Sequence, residues 1–99
     1  GVGDDGHTAS WPPGDPVIND NGMVALSGEY QGRVRMTLTV PAVNAARRRL
    51  VLATGAAKAR IIERWLLHDH ALPVDRIGRG NTTVVLDTAA AARLAYHAH

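Results

Sequence analysis

The segment Leu50-Val51-Leu52-Ala53-Thr54-Gly55-Ala56-Ala57-Lys58 decides the predicted fold. Residues 50–54 form a short apolar run that ends at Gly55, which is typical of a strand covered on both faces of a sheet. From Ala56 to about His68 the apolar residues change to the spacing of a helix with one buried face. The segment therefore predicts a strand that leads directly into a helix.

A second strand and helix are predicted further along the chain. Pro73 and the stretch Gly78 to Asn81 interrupt regular structure, and Thr82 to Leu86 is a β-branched run typical of a strand. Asp87 or Thr88 can then cap a final alanine-rich helix. The order strand, helix, strand, helix predicts a right-handed parallel crossover in an α/β sheet.

The first half of the chain is less regular. Gly1 to Asp15 is rich in glycine and proline, which predicts a loop. Met23 to Ser27 and Arg33 to Val40 read as strands joined through Gly28 to Gly32, and a β-hairpin is one possibility. Pro41 suits the first turn of a helix, which is predicted for Pro41 to Arg48.

The composition limits the classes of protein. A length of 99 residues fits one domain or one part of a larger domain, and 45% hydrophobic residues can form a core. The chain has no cysteine, which excludes disulfides and thiolate metal sites and permits a reducing compartment, so the cytoplasm is expected. No apolar run approaches the ~20 residues of a membrane span, so no membrane association is expected.

Neither nucleic acid nor metal is an expected ligand. The net charge is only +2, and the cluster Arg47 to Arg49 has no stacking aromatic beside it, so it reads as a solvated helix end. The histidine pairs His68/His70 and His97/His99 have a spacing that diverges on a helix, and they lack further ligands. We expect solvated histidines and no cofactor.

Lys58 is the only lysine, and helix geometry places it in the middle of an apolar face, in the first turn. A cation is unfavourable there because the helix dipole is positive at that end. An anion bound by backbone N–H groups and the Lys58 ammonium at this strand-to-helix junction would compensate. The alternative is a lysine whose stem packs on the apolar face while its head reaches water.

His7 is the candidate for proton transfer. Gly6 allows a sharp turn that presents His7 from a loop, and Asp5 could orient the imidazole. Taken alone, a D-G-H tripeptide also fits an ordinary turn with an exposed histidine. Gly1-x-Gly3-x-x-Gly6 matches a dinucleotide fingerprint only formally, because no helix follows it.

Three stretches of the chain, residues 1–10, 35–47 and 54–58, resemble in the same order motifs of the 6-phosphogluconolactonase family. Residues 1–10, Gly-Val-Gly-Asp-Asp-Gly-His-Thr-Ala-Ser, resemble its G-x-G-x-D-G-H-T-A-S signature. Residues 35–47, Arg-Met-Thr-Leu-Thr-Val-Pro-Ala-Val-Asn-Ala-Ala-Arg, resemble its R-h-T-L-T-h-P-x-h-N-x-A-R, where h is apolar. Residues 54–58, Thr-Gly-Ala-Ala-Lys, look like its T-G-x-x-K. The resemblance covers essentially the whole chain.

The resemblance implies a fold and a set of site residues. The fold would be a Rossmann-like parallel sheet with flanking helices, of which residues 1–99 form the incomplete C-terminal part. Independently of the resemblance, the glycine density of the opening loop predicts that a parallel strand precedes Gly1. His7 would be catalytic with Asp5, and Lys58 with Arg35 would face the substrate phosphate. The remaining substrate-binding positions implied by the first motif are Gly1, Gly3, Gly6 and Thr8.

The residues after His7 distinguish two branches of the superfamily. The related glucosamine-6-phosphate isomerases/deaminases read D-G-H-I-A-F-N-E-P, and their Glu assists ring opening. This chain has Pro12 at that position, which favours lactone hydrolysis. Trp11 and Pro12 also depart from the lactonase pattern S-L-F-P-G. The expected substrate is a sugar-phosphate lactone, the 99 residues alone are expected to be inactive, and a deaminase or a non-catalytic sugar-phosphate-binding domain are the alternatives.

Overall fold

A parallel strand–helix–strand unit forms the second half of the fold. The computed structural model describes residues 1–94, so the pair His97/His99 lies outside the described residues. Its regular elements are strands β1 Val24–Leu26, β2 Met36–Leu38, β3 Arg49–Ala53 and β4 Thr82–Leu86, helices α1 Val40–Asn44 and α2 Ala59–Leu66, and the 3₁₀ turns Pro16–Asn19, Ala56–Lys58 and Pro73–Arg76.

The predicted parallel strand–helix–strand connection is confirmed. β3 and β4 pair in parallel, in a register that runs from Arg49 opposite Thr82 to Ala53 opposite Leu86. The single turn Ala56–Lys58 connects β3 to α2, so the predicted helix begins as a 3₁₀ turn and becomes α-helical at Ala59. The sheet and its helix thus form the α/β arrangement that the sequence predicts.

Helix α2 supplies much of the core. Ile61, Ile62 and Trp65 are buried on one face, as the apolar spacing predicts, and they share a core cluster with Val51 and Ala53 of β3. The helix ends at Leu66, two residues before the predicted boundary, because His68 takes a left-handed backbone conformation with φ of 63°. Packing of this apolar face, rather than helix propensity, holds the short helix in place.

The predicted β-hairpin also forms. β1 and β2 are antiparallel, with Val24 opposite Leu38 and Leu26 opposite Met36. Helix α1 follows β2, and the Thr39 hydroxyl caps it by accepting a hydrogen bond from the Ala42 N–H at 3.2 Å.

Helix α1 is shorter than the predicted range 41–48 and ends at Asn44. The Arg49 guanidinium donates to the carbonyls of Asn44 and Ala46 at 3.1 and 3.0 Å and so satisfies groups at the helix end. Arg49 also bonds Gly78 O and Gly80 O, which ties the end of α1 to the segment before β4. Of the arginine cluster, only Arg47 and Arg48 are exposed as expected.

Two predictions about β3 and the chain end are wrong. The prediction that β3 is covered on both faces fails, because Leu50 and Leu52 are 68% and 53% exposed while Val51 and Ala53 are buried. In the part of the chain that the structure describes, α2 covers only one face. Residues 88–94 form turns where a helix is predicted: Ala91 donates to the carbonyl four residues back, but Ala92 and Leu94 donate to carbonyls three residues back. The rest of the predicted helix lies outside the described residues. The Asp87 cap does form, through the Ala90 N–H at 2.8 Å.

None of the helices formed by residues 1–94 has the length and hydrophobicity that a membrane span requires.

The Ile62→Ala substitution tests the packing of α2. Ile62 is fully buried in the core cluster, so we expect this truncation to reduce the free energy of unfolding by about 2–5 kcal/mol. The measurement is the midpoint of urea denaturation. Arg60→Ala on the exposed side of the same helix is the matched control, and an equal loss in both variants would contradict the assigned core face.

Candidate active site

The glycine-rich loop at the start of the chain folds back on itself. Gly3 N–H donates to His7 O at 2.8 Å, and Gly6 N–H donates to Gly3 O at 3.0 Å. Gly6 has φ of 87°, a conformation that costs a residue with a side chain. The Thr8 hydroxyl donates to Gly1 O at 2.7 Å and closes the loop from the other side. The four motif positions therefore shape the loop that presents His7.

His7 and Asp5 form the central pair of the site. Asp5 Oδ1 accepts the His7 backbone N–H at 3.0 Å and lies 2.6 Å from His7 Nδ1. An ionised carboxylate only accepts hydrogen bonds, so this contact favours the tautomer that carries the proton on Nδ1. The ring nitrogen Nε2 is then left to accept a proton, which is the arrangement required of a general base.

Gly3 is needed for this pair to form. A Cβ atom at position 3 would lie 2.1 Å from His7 Nδ1 and 2.9 Å from Asp5 Oδ1, far inside contact distance. The close approach of the backbone at Gly3 therefore makes room for the imidazole where it meets the carboxylate. The role of this glycine is to accommodate His7, rather than to bind a nucleotide phosphate.

A tyrosine that the sequence analysis missed completes the pair. The Tyr30 hydroxyl donates to Asp5 Oδ2, the carboxylate oxygen that His7 does not use. Burial opposes ionisation of Asp5, but the hydrogen bonds from Tyr30 and His7 outweigh it and lower the pKa of Asp5 to about 2. The same hydrogen bond raises the pKa of Tyr30 above its ordinary value. No sequence motif links a tyrosine 25 residues away to Asp5.

Arg35 lies at a small cavity beside the pair. The cavity has a volume of about 150 Å³, and His7, Pro12, Tyr30 and Arg35 are among the residues that line it. Arg35 is exposed, so its guanidinium is accessible to an anionic ligand. The structure thus brings a predicted phosphate-binding residue to the same cavity as the predicted base.

Lys58 lies at a second, more open depression. Its ammonium donates to Val2 O at 2.6 Å, and the depression is also bordered by Gly1, Gly3 and His7. Lys58 and Arg35 therefore approach His7 from two different cavities. The cation at the start of the helix thus meets a carbonyl dipole, whereas the sequence argument predicts an anion there.

One backbone donor of the strand-to-helix junction is already engaged. The Gly55 N–H donates to the Asp87 carboxylate at 3.0 Å, which removes it from the strand-to-helix junction as a ligand group. Hydrogen bonds from the Ala90 and Gly55 N–H groups lower the pKa of Asp87 and keep it ionised. A phosphate at this junction would therefore depend on the Lys58 ammonium more than on Gly55.

The structure offers no metal site within residues 1–94, where no group of three potential ligands meets. His70 Nδ1 lies 2.7 Å from Asp75 Oδ2, and its side chain is exposed. His68 is exposed as well. Both histidines thus match the expectation of solvated residues near the end of a helix.

The comparison with known families assigns the chain to one of them. A sequence profile of the glucosamine-6-phosphate isomerases/6-phosphogluconolactonase family matches residues 1–86. The chain belongs to this family. Because the match includes the glycine loop, the hairpin and both parallel strands, the resemblance of the three motifs and the Rossmann-like α/β fold class are confirmed.

Several similar proteins are named 6-phosphogluconolactonase, which is one of the two branches of this family. The chain is 36% identical over 98 residues to a 6-phosphogluconolactonase of Bos taurus, covering 92% of this chain and 38% of that protein. Over 77 residues it is 42% identical to one of Rattus norvegicus, covering 74% and 30%. The solved 6-phosphogluconolactonase of Trypanosoma brucei superimposes with a TM-score of 0.75 at 32% identity, covering 94% of this chain and 40% of that one. The chain thus spans less than half the length of these relatives.

A Gly3→Ala substitution tests how the Asp5–His7 pair is packed. The added methyl would displace the imidazole, so we expect the pKa of Asp5 to rise from about 2 toward its ordinary value of 3.8. The measurement is a carboxyl-carbon NMR titration. Gly80→Ala is the control, because a Cβ there meets no atom within 4 Å, and an unchanged pKa in Gly3→Ala would contradict the assigned geometry.

The low pKa of Asp5 also sets a pH dependence. Since the folded-state pKa is about 2 and the ordinary value is 3.8, ionised Asp5 stabilises the fold above the ordinary value. This contribution is lost as the pH falls through the folded value. We expect Asp5→Asn to flatten the acid side of the stability curve, measured by urea denaturation across this range, and an unchanged slope would contradict it.

Proposed function

We propose that the protein containing this chain hydrolyses 6-phosphogluconolactone to 6-phosphogluconate, with His7 as general base. The observation that carries the proposal is the Asp5–His7 pair, which leaves Nε2 of the imidazole to accept a proton beside a cavity with Arg35. Relatives named 6-phosphogluconolactonase, which are 42% and 36% identical to the chain over 77 and 98 residues, support it. The expected location in the cytoplasm and the absence of a nucleic-acid partner stay predictions.

The chemistry needs one water molecule and one proton-accepting group. His7 Nε2 removes a proton from water while the water oxygen attacks the lactone carbonyl carbon. The bond between that carbon and the ring oxygen then breaks, and the departing oxygen takes the proton back from the imidazolium. Ionised Asp5 stabilises the transient positive charge on the imidazole ring, to which it lies at 2.6 Å.

Two basic residues suit the phosphate at the other end of the sugar. Arg35 presents an exposed guanidinium at the cavity beside His7, and Lys58 presents an ammonium at the adjoining depression. Anchoring the phosphate holds the carbonyl near His7, so that attack becomes effectively intramolecular. Gly1, Gly3, Gly6 and Thr8 contribute by holding the loop in shape.

Pro12 supports hydrolysis over isomerisation and deamination. It lines the same cavity as His7, at the position where the deaminase pattern carries a Glu. Proline has no group that can transfer a proton, so the carboxylate relay for ring opening has no counterpart at this position. Turnover of glucosamine 6-phosphate in place of the lactone would contradict this choice of branch.

We also propose that residues 1–99 are the C-terminal part of a single larger domain. Two apolar faces support this: Leu26 and Met36 on the hairpin are 69% and 73% exposed, and Leu50 on β3 is 68% exposed. Exposed apolar faces of this kind favour coverage by further protein. The chain aligns with only 38% to 42% of the length of two solved relatives, so most of each of those proteins is available to cover the corresponding faces.

Substitutions in the entire protein test the proposed reaction. His7→Ala should lower kcat for lactone hydrolysis by about 10²–10⁴ because it removes the general base. Arg35→Ala should raise KM by about 10-fold or more with a smaller effect on kcat, because a charged hydrogen bond to the phosphate is lost. Arg48→Ala, an exposed arginine outside the cavity, is the control. An unchanged kcat in His7→Ala would contradict the mechanism.

The isolated residues 1–99 should show no lactone hydrolysis, and they should associate through the exposed strand faces. Activity assays and sedimentation velocity measure the two properties. Replacing Leu26, Met36 and Leu50 with polar residues should reduce the association. A lactonase rate from the isolated chain would contradict the proposal that it is one part of a domain.

A further inference from the structure

Tyr30 contacts the Asp5–His7 pair from a separate element of the fold. Its hydroxyl donates to Asp5 Oδ2, while His7 Nδ1 meets Asp5 Oδ1. The Tyr30 ring also lies against the imidazole, with 5.6 Å between the ring centroids. The tyrosine therefore touches both members of the pair, and it binds the carboxylate oxygen that His7 leaves available.

A tight turn places Tyr30 with little freedom. Tyr30 N–H donates to Arg33 O at 2.9 Å, and Arg33 N–H donates to Tyr30 O at 3.1 Å. The two residues between them, Gln31 and Gly32, have φ of 52° and 78°, the positive values of a type I′ hairpin turn. The turn and the bridge between Tyr30 and Arg33 that it closes hold the phenol at the glycine loop, where it reaches Asp5.

We infer that Tyr30 is a positioning residue, which holds the Asp5 carboxylate so that the His7 imidazole keeps its catalytic orientation. The inference deepens the proposed function and rests on it. A carboxylate bound at both oxygens by partners from different segments cannot rotate without losing a hydrogen bond. His7 adds a second restraint through its backbone N–H to Asp5 Oδ1 at 3.0 Å. The direction of the Nδ1 contact, and with it the position of Nε2, is thereby set.

The charges around the phenol keep it a hydrogen-bond donor. The hydrogen bond to Asp5, partial desolvation and the negative charges of Asp5 and Asp4 all raise the pKa of Tyr30. Within residues 1–94, Arg35, the cationic group at the same cavity, and His7 are the other charged or titratable residues beside it. The hydroxyl therefore stays protonated over the pH range in which a histidine base operates.

Tyr30→Phe in the entire protein is the direct test, because it removes the hydroxyl and keeps the ring. We expect kcat for the lactone to fall about 10-fold with KM unchanged. Glu29→Gln is the matched control, since Glu29 is exposed in the same loop and does not line the cavity. In an Asp5→Asn background, Tyr30→Phe should have no further effect on kcat, because the tyrosine acts through Asp5. An unchanged kcat in the single variant, or an equal loss in both backgrounds, would overturn the inference.

A second readout does not depend on activity. The ultraviolet titration of wild type minus that of Tyr30→Phe isolates the ionisation of Tyr30, whatever other tyrosines are present. We expect this ionisation above the ordinary pH range of tyrosine, and a return to the ordinary range in Asp5→Asn. If the Tyr30 ionisation curve is identical in the wild-type and Asp5→Asn proteins, the hydrogen bond between Tyr30 and Asp5 is contradicted. If wild type lacks lactonase activity while the titration responds to Asp5→Asn, the proposed reaction fails and the hydrogen bond stands.

Discussion

The carboxylate of Asp5 is the group on which the candidate site depends. It accepts hydrogen bonds from the His7 backbone, the His7 ring and the Tyr30 hydroxyl. These donors belong to two segments, the glycine loop and the hairpin, so a single side chain links two parts of the fold. Because the donors lower the pKa of Asp5 to about 2, the link carries a negative charge at neutral pH.

The fold was predictable where the signal is local. The apolar run before Gly55, the helical spacing that follows and the β-branched run Thr82–Leu86 each indicated its element, and the structure contains all of them. The exposure of Leu50 and Leu52 was not predictable, because a sequence pattern records the burial of a strand in its complete sheet. The role of Arg49 was not predictable either, because its guanidinium donates to carbonyls in two segments that are distant in sequence, Asn44 O at the end of α1 and Gly78 O before β4.

The candidate site was predictable where a motif supplies neighbouring residues. Asp5, Gly6 and His7 are adjacent in sequence, and their contact follows from the turn they make. The contribution of Tyr30 depends on how a hairpin packs on that turn, for which spacing along the chain gives no signal. The sequence also carried no signal that the Gly55 N–H donates a hydrogen bond to the Asp87 carboxylate.

The two-residue turn between Tyr30 and Arg33 has a consequence for changes in chain length. Gln31 and Gly32 both take positive φ there, and inserting or deleting one residue would break the pairing of Tyr30 with Arg33 on either side of the turn. The Tyr30 hydroxyl would then lose its position at the Asp5 carboxylate. The loop should therefore tolerate substitutions much better than insertions or deletions.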